Sequence, residues 1–98
     1  MAALDSRLNV IGFFEISHGT VNGSYFNNRE IFMKALIAGA ASIVLAHNHP
    51  SGDTSPSSED LDCIEKVKDA GALLGVPVLD FIICGRDTYF SAREQKIL

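Results

Sequence analysis

Residues 42–60 constrain the fold more than any other stretch. Ser42 to Ala46, SIVLA, is a short continuous apolar run of the kind found in a sheet strand covered on both faces. It ends directly on His47-Asn48-His49, and a loop punctuated by Pro50, Gly52 and Pro56 follows. Ser57 and Asp60 then open an apolar periodicity at Leu61, Ile64, Val67, Gly71 and Leu74, one face of a helix. A strand that delivers two histidines into a loop, with a helix returning at once, commits the chain to packing helix against sheet.

The flanking segments extend this pattern. Leu8 to Ile16, LNVIGFFEI, is rich in β-branched and aromatic residues and predicts a strand. Asn22-Gly23 within Gly19–Ser24 signals a hairpin, with a short strand expected near Tyr25. Asn27 with Glu30 three residues on forms a capping-box pattern ahead of Ile31, Phe32, Ala35, Leu36 and Ala38, and Gly39 stops that first helix. Gly75 and Pro77 end the second helix. Val78 to Cys84 is a further strand, and Gly85 to Asp87 turns it into a last one over Thr88–Ser91. The order is β-β-α-β-α-β-β. It predicts one α/β domain over residues 1–98, a mixed central sheet flanked by helices. The final turn is too short for a crossover, so the last two strands should be antiparallel.

Composition narrows the function classes. The chain has 98 residues and a net charge of -4, with no Lys/Arg run, so the basic patch that phosphate binding requires is not there and no direct nucleic-acid contact is expected. No apolar run approaches the length of a membrane span. The N-terminal MAALDSRLNV has no signal-peptide character. Cys63 and Cys84 stand apart in apolar surroundings, not in a C-x-x-C pair, which argues against a thiolate zinc site and suits a reducing cytoplasm.

The chemistry concentrates between His47 and Asp60. In strand geometry His47 and His49 point to one side, so their imidazoles can converge on one ion. Asp60, in the first turn of the next helix, supplies a carboxylate. Two histidines and a carboxylate leave one tetrahedral position of Zn²⁺ open for water, as catalytic zinc requires. Ser57 and Asp60 also make a helix cap, and the two duties are compatible. Asp53 suits a turn, Glu59 points elsewhere on the helix, and His18 reads as the exposed end of a strand. A general base is still needed. Glu15 interrupts the apolar GFFEI, where a charge is costly to bury without a purpose. Glu30 is the alternative, with a capping role that already accounts for it.

These residues resemble the JAMM (MPN+) metalloprotease motif: an upstream Glu, H-x-H, seven residues, Ser, two residues, Asp. Asn48, the following PSGD, HGTVNGS, NNREIF and PVLDFIICG together look like the bacterial RadC family, and the likeness covers nearly the whole chain. The resemblance implies a cytidine-deaminase-like (JAB/MPN) fold, bound zinc and hydrolysis of an amide or isopeptide bond in a peptide or protein substrate. It implies His47, His49 and Asp60 as ligands, Glu15 as acid/base and Ser57 as a donor to the oxyanion. Many members carry a helix-hairpin-helix region ahead of this domain, and DNA contacts made by such a region fall outside residues 1–98.

Two rivals follow. A nucleoside deaminase would use H-x-E with P-C-x-x-C, and neither cysteine fits. A non-catalytic metal-binding interaction module, set among DNA repair or processing complexes, would keep the ligands and show no turnover.

Overall fold

A computed structural model describes residues 1–16, 26–49 and 51–98. Seven elements follow in order: β1 (Ala2–Leu4), β2 (Val10–Phe13), α1 (Asn28–Ile37), β3 (Ser42–Asn48), α2 (Ser58–Leu74), β4 (Val78–Cys84) and β5 (Tyr89–Ser91). The strands form one mixed sheet in the order β2-β1-β3-β4-β5. The α2 crossover makes β3 and β4 parallel, with Leu45 opposite Phe81 and His47 opposite Ile83. The other pairs are antiparallel. The short turn after β4 has the expected consequence, placing Cys84 opposite Tyr89. The expected Asn22–Gly23 hairpin, the strand near Tyr25 and His18 lie outside the described residues.

β1 is a strand the sequence did not announce. Three small or aliphatic residues carry no alternation long enough to read. The Leu8–Ile16 strand is correspondingly shorter than expected. Leu8 has a positive φ of 66° and belongs to the turn between β1 and β2. That turn is built by Asp5, whose carboxylate accepts the N–H groups of Arg7 and Asn9.

Among the described residues, both helices lie on one face of the sheet. Along β3, Ile43, Leu45 and His47 are buried, whereas Ala46 and Asn48 are exposed. Phe81 and Ile83 of β4 lie on the buried face beside them. Ile31, Phe32 and Ala35 of α1 join Ile64 and Val67 of α2 in the same core. Both helices therefore share that face, and the apolar run of β3 reflects small or half-buried residues on the other. The face of α2 also differs from expectation. Asp60, Ile64, Val67 and Gly71 are its buried residues. Leu61 stands about 100° round from Asp60, which takes the inward place, and it is exposed, as are Leu74 and, on α1, Leu36. Gly71 lets α2 approach β4 closely: a Cβ there would lie 2.6 Å from the Val76 carbonyl oxygen.

Phe81 is fully buried and meets Phe26 edge-on, with ring centroids 5.7 Å apart. Phe81→Ala should cost about 3–5 kcal/mol, from lost transfer energy and the cavity left behind. Urea unfolding of the two proteins measures this. A loss below about 1 kcal/mol would remove Phe81 from the centre of the core.

Candidate metal centre

β3 ends where the centre begins. Alternation turns His47 into the buried face, where its ring meets Phe26 edge-on at 6.0 Å between centroids. His49 follows one residue beyond the strand, and its backbone N–H extends the ladder to the Cys84 carbonyl. The two imidazoles converge as the spacing predicts, with centroids 5.0 Å apart and planes at 87°.

Asp60 enters from the opposite side at the start of α2. Its N–H donates to Ser57 Oγ at 3.1 Å, and its Oδ2 accepts the Ser57 N–H at 2.8 Å, so the capping box is complete. The same Oδ2 lies 3.0 Å from His49 Nε2. Asp60 is wholly buried, and its Oδ1 has no hydrogen-bond partner. The helix cap and the candidate metal cluster thus draw on one carboxylate.

A short loop sets the orientation of His49. Its Nδ1 lies 2.8 Å from the Asp53 carbonyl oxygen, an atom that can only accept, so Nδ1 carries the proton. Nε2 is then the basic nitrogen, and it faces a carboxylate oxygen. Two acceptors at 3.0 Å need a proton or a cation between them. One ligand atom from each of His47, His49 and Asp60 lies within 4.8 Å of the others. A tetrahedral ion would hold such atoms roughly 3.3–3.6 Å apart. The donor set, the orphaned Oδ1 and the His49–carbonyl contact all fit a metal ion, the last being the usual support of a ligating imidazole. Among the described residues no cysteine joins the cluster.

The other expected site residues are placed differently. Ser57 stands at the cap beside Asp60. Its Oγ accepts the Asp60 N–H. Glu15 is exposed and is not one of the clustered residues. β2 runs in the same direction as β3, with β1 between them, so Glu15 lies toward the same end of the sheet as His47. Two strand spacings, about 10 Å, separate them laterally. The Glu15 carbonyl accepts from Lys34 Nζ at 2.9 Å, and Lys34 also pairs with Glu30 at 2.9 Å. The Asp53 carboxyl is held below its ordinary range chiefly by the Ser55 backbone N–H. It serves the turn, as its sequence context suggests. Sequence reasoning missed Phe26 and the Asp53 carbonyl. A main-chain oxygen leaves no signature in residue type, and Phe26 reads only as an aromatic after a hairpin.

A mixed sheet with two helices on one side and a His-His-carboxylate cluster at a strand end defines a JAB-type α/β domain. Residues 1–97 match the family model described as the RadC-like JAB domain, and the chain belongs to that family. A UPF0758 protein of Desulfitobacterium hafniense is 42% identical over the whole chain, which covers 43% of that relative. UPF0758 proteins of Thermotoga maritima and Methanococcoides burtonii are 45% and 44% identical over 92 residues, or 41% and 40% of their lengths. The chain thus spans less than half the length of these relatives.

Proposed function

We propose that this domain is a zinc-dependent hydrolase of amide or isopeptide bonds, with His47, His49 and Asp60 as ligands. The observation that carries the reading is the His49 Nε2–Asp60 Oδ2 pair at 3.0 Å, with Nδ1 committed to a carbonyl. Three protein ligands leave a tetrahedral ion one open position, which distinguishes a catalytic from a structural centre. Bound zinc would supply Lewis acidity, polarising a carbonyl and acidifying water. His47 and His49 would bind through ring nitrogens that β3 and the following loop hold rigid. Asp60 would bind from the cap of α2. Ser57 would donate its hydroxyl proton to the developing oxyanion, and Glu15 would accept and return the proton of the attacking water.

The exposure of Glu15 and its two-strand separation from His47 favour a second reading, a metal-binding interaction module without turnover. Purified protein should be assayed for zinc and against a library of peptides and isopeptides, with and without chelator. Hydrolysis that chelation removes and zinc restores supports the enzyme. Stoichiometric zinc with no turnover supports the module, and no zinc at all overturns both.

A further inference from the structure

We infer that Asp53 is a positioning residue, and that its turn, seated in a notch at Gly85, sets the tautomer of His49 and thereby the affinity of the centre. This deepens the metal reading above and rests on it for its affinity consequence. The chain of contacts is continuous. Gly52 N–H donates to the His49 carbonyl at 3.0 Å, closing a turn that Gly52 ends with a φ of 85°. Asp53 N–H reaches Ser51 Oγ at 3.3 Å, and the Asp53 carboxylate accepts the Ser55 N–H at 2.9 Å. This turn aims the Asp53 carbonyl back at His49 Nδ1, 2.8 Å away. Gly85, after β4, is where the loop rests. A Cβ on Gly85 would lie 2.7 Å from the Gly52 carbonyl oxygen and 2.6 Å from Thr54 Cγ2. The first of these atoms is backbone, so any side chain at 85 must displace the loop.

The consequence for His49 is direct. With the carbonyl in place, the proton stays on Nδ1 and the lone pair on Nε2 faces Asp60 and the ion position. With the carbonyl displaced, the ring is free to rotate and to carry its proton on Nε2, where it would oppose a metal. Partners of this kind are typically worth 10–100-fold in metal affinity. The Asp53 carboxylate acts through the turn and not as a ligand, since it bonds the Ser55 N–H and is exposed. Asn at this position keeps an oxygen that accepts the same N–H. That makes the conservative variant informative.

The test uses Asp53→Ala, Asp53→Asn and Gly85→Ala, with two readouts. Titration with Zn²⁺ or Co²⁺ gives affinity. Proton and nitrogen NMR of the His49 ring gives the site of protonation and the protection of the Nδ1 proton. Asp53→Ala should lose roughly 10–100-fold in affinity together with the protected Nδ1 proton, and Gly85→Ala should resemble it. Asp53→Asn should restore both to within about threefold, the modest effect of losing an exposed, screened charge. Wild-type affinity and an intact Nδ1 proton in Asp53→Ala would overturn the inference. So would equal weakening in Asp53→Ala and Asp53→Asn with the Nδ1 proton retained, because charge would then be acting and not the turn. If the wild type bound no metal, the hydrolase reading would fall. The ring NMR of the three variants would still decide whether the Asp53 turn sets the tautomer.

Discussion

His47→Ala, His49→Ala should take up no zinc, where the wild type should take up about one per chain. The expectation follows from the number of donors. With both imidazoles gone, Asp60 alone remains of the cluster, and a single carboxylate does not retain a borderline-soft ion against water. The fold should survive, because the core is built from Ile43, Leu45, Phe81, Ile64 and their neighbours, and His47 lies at its margin. Elemental analysis with circular dichroism separates the two effects. Full occupancy in the folded double variant would dismiss the assigned ligands. Asp60→Asn sharpens the same test. The amide oxygen can stand where Oδ2 does and still accept the Ser57 N–H, and that same atom then faces His49 Nε2, but it is neutral and a weaker ligand than a carboxylate oxygen. Zinc affinity should therefore fall while the apo protein keeps its stability to within about 1 kcal/mol.

Glu15→Gln should leave zinc content unchanged and lower turnover roughly 10²–10⁴-fold, the usual worth of a positioned acid/base. Gln has nearly the same shape but accepts no proton at neutral pH. Stability should hardly change, since Glu15 is exposed and its contact with Lys34 is made through the backbone carbonyl, which the substitution keeps. The geometry makes this a demanding test. Glu15 follows β2, two strand spacings or about 10 Å of backbone from β3, so its side chain has to reach toward the site from the rim. Near-normal turnover in Glu15→Gln would take Glu15 out of the mechanism and turn attention to Glu30, which Lys34 ties to the same region. Loss of zinc in that variant would instead make Glu15 part of the metal's support.

The legible parts of this molecule were those in which chemistry and spacing coincide. H-x-H at a strand end, followed by a Ser-x-x-Asp cap, located all three clustered residues, because strand alternation and helix capping each leave a fixed spacing. The α1 cap at Asn27, the α2 stop at Gly75 and the antiparallel β4–β5 pair were legible for the same reason. β1 was not, since three residues hold too few alternations. The placement of both helices on one face of β3 was also hidden. Val44 and Ala46 are apolar by residue type, and only the placement of both helices on one side shows that they face outward. The notch at Gly85 reads in sequence as an ordinary turn. Its significance comes from a loop more than thirty residues earlier in the chain.

Asp60 belongs at once to the first turn of α2 and to the candidate metal cluster, so an ion taken up there would be thermodynamically linked to local folding. An ion that binds only the folded form stabilises it by about 2.7 kcal/mol at a concentration one hundred times its dissociation constant. Much of that protection should be felt locally. Amide hydrogen exchange at residues 58–61 should slow on zinc loading, while the interior strands β3 and β4 change little. The helix start would then serve as a gauge of occupancy that requires no substrate.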